Sequence, residues 1–192
     1  MKNKIFKIDL YRKIGNRKIN IKDIFFEHDI AFIFFLRNAM VKKKFCCFFS
    51  IILQHYKHKY GLEISKHIKI GPGLYLGHAY NITINDKAVL GKNINIHKGV
   101  TIGAENRGIR KGVPIISDNV WIGVNAVIVG KVMIGSDVLI APNTYVNCDI
   151  PDHSIVIGNP CKIIYKKDAT LNYLQNIDWS NNFDEKSINN NV

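Results

Sequence analysis

Residues 116–141 read ISDNVWIGVNAVIVGKVMIGSDVLIA, and an isoleucine opens a new unit of this stretch every six residues. The same spacing runs from residue 64 to residue 151, with an aliphatic residue at the head of each unit. The heads are Ile64, Ile70, Leu76, Ile84, Leu90, Ile96, Ile102, Ile116, Ile122, Ile128, Ile134, Ile140 and Val146. A short, fixed period of this kind is typical of a solenoid.

The period also predicts how each coil is built. Six residues provide one short strand and one turn, so three units make a coil of about 18 residues. We expect the aliphatic heads to point inward and to stack on the heads one coil above and below. The residue after the head is expected to turn the corner, which favours glycine. These glycines are Gly71, Gly77, Gly91, Gly103, Gly123 and Gly135.

Two other architectures fit the spacing less well. A period of six does not match the 3.6 residues of a helical turn. A sandwich of short strands is the remaining alternative, but its strands usually recur at about 8–12 residues with variable loops. The sequence therefore predicts a mostly β parallel solenoid.

The six-residue period breaks in two places. Leu76 and Ile84 are eight residues apart, and Ile102 and Ile116 are fourteen apart, which leaves an excursion at residues 103–115. Loops that leave a rigid scaffold commonly carry function. We therefore expect the functional residues near these two breaks.

Four stretches of the chain resemble the hexapeptide-repeat acyltransferases, and in particular the serine acetyltransferases and related sugar or polysaccharide O-acetyltransferases. They are residues 70–78 (IGPGLYLGH), 99–103 (GVTIG), 116–123 (ISDNVWIG) and 158–163 (GNPCKI). The resemblance covers roughly residues 55–167. It implies a left-handed parallel β-helix, acetyl-CoA as the donor, and a homotrimer with active sites between subunits.

The chain divides into three segments on composition and period. Residues 1–60 form a basic, Phe-rich helical segment, residues 61–167 the β-helix domain, and residues 168–192 a partly disordered extension with an Asn-rich tail. Helices are expected within residues 23–60, with Asp23 and Asp29 as N-caps. Their apolar faces are expected to cover the open end of the first coil.

The net charge of +12 is concentrated in the N-terminal segment. Residues 1–60 hold 14 Lys or Arg and 4 Asp or Glu, whereas the rest of the chain holds 13 and 11. No nucleic-acid-binding motif accompanies this charge, so no nucleic acid is expected. Peripheral contact with an anionic membrane, or with a lipid-linked glycan, suits the Phe-rich surroundings. A solvated basic face on helices that form oligomers is an equal alternative.

The cysteines and the apolar runs bear on location. Cys46, Cys47, Cys148 and Cys161 show neither a zinc-site nor a disulfide-framework spacing, which favours a reducing cytosol. No secretory signal pattern is present, and no apolar run approaches the ~18 residues of a membrane span. A cytoplasmic enzyme is expected, with peripheral attachment at the inner membrane surface left open.

His78 is the expected general base. Acyl transfer from a thioester to a hydroxyl needs a base that works near neutral pH, and histidine has a suitable ordinary pKa. His78 is the third residue of its unit, so it should not point along the inward column, and the first break follows it directly. In the resembling family, the His of a Leu-Gly-His or Leu-Asp-His segment is the base. The alternative is a surface histidine at a turn.

Three further residues are expected near His78. Glu63 lies fifteen residues before it, at the spacing where the family carries an Asp that pairs with the base. His97 belongs to the unit that Ile96 opens, and this unit comes three units after the one that contains His78. Three units make one coil, so His97 should lie about one strand spacing, ~4.8 Å, from the backbone near His78. His97 and Asn81 are expected to contact the acceptor. His97 is also the rival base.

The resemblance also implies the residues that bind acetyl-CoA. Small side chains and exposed amides suit a narrow groove for the pantetheine arm, and lysines suit its phosphates. The expected residues are Gly103, Ala104, Gly123, Val124, Ala141, Pro142, Lys162 and Lys167. No metal is expected.

The acceptor is expected to be a hydroxyl of a sugar or polysaccharide, or of its lipid-linked precursor. This expectation rests on Val113, which stands where serine acetyltransferases carry a second histidine before the proline matching Pro114, and on a short helical segment. Serine O-acetyltransferase is the first alternative, and a non-catalytic solenoid scaffold the second. A zinc carbonic anhydrase on this fold is disfavoured, because His67, His78 and His97 lack the required spacing.

Overall fold

The computed structural model of this chain describes residues 4–17, 26–41 and 46–179. Within these ranges three helices come first: α1 (Lys4–Ile14), α2 (His28–Met40) and α3 (Cys46–Tyr60). Fifteen short strands follow and wind around one axis. They form three sheets, which are the three faces of a parallel solenoid of about five turns.

Successive strands of the chain belong to the three sheets in turn. Sheet A contains β1 (Leu62–Ile64), β4 (Ile82–Ile84), β7 (Thr101–Gly103), β10 (Val127–Val129) and β13 (Tyr145–Val146). Sheet B contains β2 (Lys69–Ile70), β5 (Val89–Leu90), β8 (Ile115–Ile116) and β11 (Met133–Ile134). Sheet C contains β3 (Tyr75–Gly77), β6 (Asn95–His97), β9 (Val120–Ile122), β12 (Val138–Ile140), β14 (Ser154–Ile157) and β15 (Lys162–Tyr165). All pairings are parallel except β14 with β15.

The aliphatic heads occupy the interior, as the period predicts. Every head from Ile64 to Val146 is buried, and equivalent heads are register partners on adjacent coils, such as Ile96 with Ile122 and Ile122 with Ile140. The hydrophobic effect on these stacked side chains is the main force holding the coils together. The predicted mostly β solenoid is confirmed.

The expectation about the corners is wrong in its mechanism. The glycines that follow the heads do not have left-handed φ angles; they are needed because the next coil lies too close for a side chain. A Cβ on Gly71 would lie 2.6 Å from the carbonyl oxygen of Gly91, and one on Gly123 would lie 2.6 Å from the nitrogen of Pro142. The left-handed corner residues are mostly asparagines, namely Asn81, Asn93, Asn119, Asn125 and Asn143. Asparagine tolerates this conformation better than other residues with a Cβ.

Helices α1 and α2 cover the open end of the first coil and satisfy its backbone groups with a buried ion pair. Arg37 Nε donates to Asp9 Oδ2 at 2.7 Å, and both side chains are buried. Asp9 Oδ1 accepts from the backbone nitrogens of Gly73 and Leu74, while Arg37 donates to the carbonyl of Ile70. Protein side chains therefore replace a neighbouring strand at this edge.

The helical segment differs from its prediction in two details. Helix α1 lies outside the range in which helices were expected. The N-cap of α2 is Glu27 and not Asp29, which lies in the first turn and pairs with Lys13. Asp23 lies outside the described residues. Helix α3 ends at Tyr60, and Gly61 follows with a left-handed φ of 66°, a common helix stop.

Residues 168–179 of the C-terminal extension fold back onto the solenoid. The backbone nitrogens of Ala169 and Thr170 donate to Asp137, and Trp179 Nε1 donates to Asn93 Oδ1 at 2.8 Å. The Asn-rich tail beyond residue 180 lies outside the described residues. None of the helices within the described ranges has the length and apolar run that crossing a bilayer requires.

Candidate active site

One corner of the solenoid, where the chain passes from sheet C to sheet A, collects most of the expected site residues. We call this corner the C–A edge; it contains residues 77–81, 97–100, 123–126 and 141–144. Gly77 is the register partner of His97, and Ile122 is the partner of Ile140. His78 therefore lies beside His97, and Gly123 and Val124 lie beside Ala141 and Pro142. The coil register brings together residues that are far apart in sequence.

His78 occupies a turn that other parts of the chain hold in place. Its side chain is exposed and its backbone φ is 50°, an uncommon value for a residue with a Cβ. The next residue, Ala79, is buried, and its carbonyl lies 3.2 Å from His28 Nε2 of α2. Tyr80 accepts a hydrogen bond from the backbone of Gly99 on the next coil. A fixed backbone with a solvent-facing imidazole is the geometry that a general base needs.

The His97 ring is half-buried and has aromatic neighbours. Its centroid lies 4.7 Å from that of Trp121, which in turn lies 5.1 Å from that of Tyr173. Its Nε2 is buried and has no hydrogen-bond partner among the described residues. A buried, unpaired ring nitrogen calls for a partner such as a ligand atom or a water molecule.

Burial first, and then the charges of His78 and Lys13, lower the pKa of His97 to about 4. His97 is therefore neutral at neutral pH. Its ring also explains why residue 77 is glycine, because a Cβ there would lie 2.5 Å from His97 Cε1. His97 thus occupies the space beside the turn that carries His78.

Glu63 lies on the outer face of sheet A, one coil before Thr83, and its side chain is exposed. It lines a cleft of about 700 Å³ between sheet A and the C-terminal part of α3. The lining residues are Gln54, Lys57, His58, Gly61, Glu63, Ser65, Thr83, Ile84, Asn85, Ile102 and Gly103. Within the described part of the chain, no hydrogen bond or ion pair joins Glu63 to His78. The expected pairing of Glu63 with the base is therefore not formed in this structure.

Asn81 has a conformational role in the same break. Its φ is 52°, its backbone nitrogen donates to the carbonyl of Tyr60, and its side chain lies against Gly61. The side chain is exposed on its other side. Asn81 thus turns the corner that follows His78.

The expected acetyl-CoA residues divide between two corners. Gly103 and Ala104 lie where sheet A passes to sheet B, which we call the A–B edge, at the start of the 103–115 excursion. Backbone hydrogen bonds between Glu105 and Gly112, both of 2.9 Å, close the base of this loop. Its residues 104–109 are exposed, and Ile109 is 99% exposed. A single chain does not bring this edge to the C–A edge.

The two expected phosphate-binding lysines lie at the far end of the solenoid. Lys162 opens β15, which pairs antiparallel with β14 and is exposed along its whole length. Lys167 follows β15 and is also exposed. Both lysines therefore lie beyond the last coil that carries Ala141 and Pro142.

Three neighbours of the site were not predicted from the sequence. Trp121 lies under His97 because it is the register partner of Asn95, so counting coils could have found it. Tyr173 reaches the site only because the C-terminal segment folds back, which no sequence signal indicates. Lys57 reaches the cleft because the last turn of α3 faces sheet A. Among the described residues, no cluster of three or more His, Cys, Asp or Glu side chains could hold a metal ion.

Comparison with known proteins places this fold and site in a class. Residues 114–148 match the family described as bacterial transferase hexapeptide (six repeats). The chain is 30% identical over 131 residues to the serine acetyltransferase of Helicobacter pylori (strain ATCC 700392 / 26695), covering 68% of this chain and 77% of that protein. The chain therefore belongs to the hexapeptide-repeat transferase family, among the serine acetyltransferase-like members, as the resemblance indicated.

Other relatives and solved structures agree. The chain is 32% identical over 129 residues to serine acetyltransferase 4 of Arabidopsis thaliana. The match covers 62% of this chain but only 36% of that longer protein. The crystal structure of Neisseria gonorrhoeae serine acetyltransferase in complex with serine superposes with a TM-score of 0.63 at 30% identity, covering 84% of this chain and 68% of that one. A coenzyme A complex of the Brucella abortus enzyme shares the fold, with a TM-score of 0.69 at 24% identity, covering 85% of this chain and 67% of that one.

These relatives overturn one expectation. The predicted sugar, polysaccharide or lipid-linked glycan acceptor is wrong, because the matched relatives and solved structures are serine acetyltransferases. The alternative given above, serine as the acceptor, is the better supported one. The error came from giving Val113 and the short helical segment more weight than the shared coil pattern.

Proposed function

We propose that this protein is an acetyl-CoA-dependent serine O-acetyltransferase. The observation that carries the proposal is the 30% identity to a serine acetyltransferase over 77% of that protein's length. It is supported by the exposed imidazole of His78 in a turn fixed from both sides. A serine complex of a 30% identical neighbour supports the same acceptor.

The mechanism follows from the chemistry of His78. Its neutral imidazole removes the proton from the serine hydroxyl while that oxygen attacks the thioester carbonyl. The resulting imidazolium returns the proton to the departing coenzyme A thiolate. Backbone N–H groups lining the C–A edge stabilise the negative charge that develops on the carbonyl oxygen. No acyl-enzyme forms, because donor and acceptor are bound together.

Glu63, His97 and Asn81 have supporting roles in this proposal. Glu63 pairs with the imidazolium of His78 when substrate closes the site, since hydrogen bonds at catalytic sites often tighten only in the substrate complex. The unpaired Nε2 of His97 offers a hydrogen bond to the acceptor. Asn81 holds the backbone of the break, and its exposed face borders the acceptor.

We also propose a homotrimer with active sites between subunits. Gly123, Val124, Ala141 and Pro142 line the C–A edge, whereas Gly103 and Ala104 lie on the A–B edge. A second copy can place its A–B edge beside the C–A edge of the first, so that both line one groove for the pantetheine arm. Lys162 and Lys167 then contact the phosphates at the end of that groove.

The test of the acceptor is a direct assay for O-acetylserine by mass spectrometry, with acetyl-CoA and L-serine as substrates. D-Serine and L-threonine serve as acceptors of matched chemistry. We expect product with L-serine well above that with the other two. Release of coenzyme A that does not depend on L-serine, from folded protein, would overturn the proposal. Sedimentation showing a fully active monomer would overturn the shared site.

A peripheral contact with anionic lipid is proposed for the N-terminal segment. It is supported by Phe26, Phe48 and Ile51, which are 84%, 58% and 72% exposed, and by the net positive charge of residues 1–60. Each basic residue near an anionic surface contributes about 1 kcal/mol. Binding to anionic but not neutral vesicles in a flotation assay, lost at high salt, is the expected result. No binding at low salt would leave the helices only their capping role.

A further inference from the structure

Two cysteines that the proposed reaction does not use lie next to each other at the end of the solenoid. The Sγ atoms of Cys148 and Cys161 are 3.7 Å apart, although thirteen positions separate them in the chain. Both are half-buried, and both pack against the hydrophobic core of the solenoid. Their proximity is a product of the fold, because Cys148 follows β13 of sheet A whereas Cys161 precedes β15 of sheet C.

The turn at residues 158–161 is what places Cys161 over Cys148. This turn joins β14 to β15 and crosses the top of β13. The backbone nitrogen of Tyr145 donates to the carbonyl of Gly158, and the nitrogen of Gly158 donates to Thr144 Oγ1. The turn therefore covers the last strand of sheet A, a strand edge that would otherwise be open. The two thiols meet where this cover contacts the last coil.

We propose that Cys148 and Cys161 are a dithiol that closes to an intramolecular disulfide when a small-molecule disulfide such as oxidised glutathione is supplied. The bond would join the covering turn to the last coil. An S–S bond is about 2.05 Å long, so the sulfur atoms must approach each other by about 1.7 Å. Rotation of the two half-buried cysteine side chains can supply a movement of this size.

The reaction is a balanced thiol–disulfide exchange. The thiolate of Cys161 attacks one sulfur of oxidised glutathione, forms a mixed disulfide and expels one glutathione thiolate. The thiolate of Cys148 then attacks the Cys161 sulfur, forms the protein disulfide and expels the second glutathione. The two protein thiols lose two protons and two electrons in total. One molecule of oxidised glutathione is reduced to two molecules of glutathione.

The order of attack follows from the surroundings of Cys148. Burial raises the pKa of the Cys148 thiol, and its hydrogen bond and charge interaction with Cys161 raise it further. Because only the thiolate attacks a disulfide, this shift disfavours Cys148 as the first to attack. Once Cys161 carries glutathione, its sulfur lies beside Cys148, and closure is intramolecular.

The experiment uses the full-length chain carrying Cys46→Ser and Cys47→Ser, which leaves only the proposed pair. The protein is equilibrated with oxidised glutathione, alkylated, and analysed by intact mass and peptide mapping. We expect loss of two hydrogen atoms, no retained glutathione, and a cross-link between the peptides that contain Cys148 and Cys161. Dithiothreitol should restore both thiols. Stable glutathione adducts on both residues, or a disulfide between two chains, would overturn the proposal.

Two further variants test the geometry. The reverse variant, Cys148→Ser with Cys161→Ser, keeps the adjacent Cys46 and Cys47 on α3, and we expect it to retain glutathione adducts instead of forming an intramolecular disulfide. In the first background, each single change, Cys148→Ser or Cys161→Ser, should give a stable mixed disulfide with glutathione on the cysteine that remains. Failure of both remaining cysteines to form a mixed disulfide would overturn the proposed exchange. Circular dichroism of each variant separates a failure to fold from a failure to react.

Discussion

The two breaks in the six-residue repeat differ in how the rest of the chain holds them. The first, at residues 77–83, is short and is fixed by contacts from α2, from the end of α3 and from the next coil. The second, at residues 103–115, is long, and its residues 104–109 are exposed. Backbone hydrogen bonds near its base, and an ion pair of 3.6 Å between Arg110 and Asp149, tie it to the solenoid. The fixed break suits chemistry, and the exposed loop suits contacts that vary between relatives.

The difference also explains why the acceptor was mispredicted. His78 lies in the fixed break, where the surroundings constrain both the residue and its conformation. Val113 lies at the end of the loop, outside the column of buried aliphatic heads. A departure in the loop is therefore weak evidence against the activity of the whole family. Mutations in the two breaks should separate these roles.

The largest expected effect belongs to the first break. His78→Ala should lower turnover with L-serine by about 10²–10⁴-fold, the range for loss of a general base. The KM for acetyl-CoA should change little, because the residues proposed to hold the donor lie on other coils. Steady-state kinetics of purified protein measures both. His67→Ala, which changes an exposed histidine elsewhere on the solenoid, is the matched control. A larger loss from His97→Ala than from His78→Ala would show that the base is misassigned.

The second break should respond through affinity rather than turnover. Val113→His adds a hydrogen-bond donor to the loop, and a hydrogen bond to a charged group contributes about 1.5–3 kcal/mol. We expect the KM for L-serine to fall roughly 10-fold or more, with turnover changed only slightly. Val113→Leu keeps the loop apolar and should leave KM near its original value. If Val113→His leaves KM unchanged, residue 113 does not contact the acceptor.

The sequence predicts the features that follow from the six-residue period, but not the contacts made by distant parts of the chain. The heads from Ile64 to Val146 could be placed from the sequence, because a six-residue period and burial constrain one another. His78 could be placed because its motif coincides with a break in that period. The unpaired nitrogen of His97 could not, because it depends on how Trp121 packs against the imidazole ring. The contact of Arg12 with Asn95 could not be predicted either, because it requires α1 to pack against a coil whose residues come 83 positions later in the chain.

A smaller effect tests how closely the first break is packed. Gly77→Ala would place a Cβ 2.5 Å from His97 Cε1, so the imidazole must move. Overpacking of this kind costs about 1–3 kcal/mol in the free energy of unfolding. The double variant Gly77→Ala with His97→Ala should recover part of that loss, because the obstructing ring is gone. Urea unfolding of the four proteins in the cycle measures the coupling. Additive losses would mean that His97 does not fill the space beside residue 77.

The smallest expected effect is a pH dependence of stability that arises from His97 alone. Its pKa is about 4 in the folded protein, because of burial first and then the charges of His78 and Lys13, whereas an unfolded histidine titrates near pH 6.5. Between these two values the unfolded chain binds the proton and the folded chain does not. The free energy of unfolding therefore falls as the pH is lowered from about 6.5 towards about 4, and His97 has no such effect above that range.

His97→Phe keeps a ring against Trp121 and removes the titration. Urea unfolding at neutral pH and near pH 5 should show a smaller loss of stability for His97→Phe than for the unmodified protein. His67→Gln is the control, and its loss should match that of the unmodified protein. Equal losses in all three proteins would mean that the ring of His97 is not held neutral beside the first break.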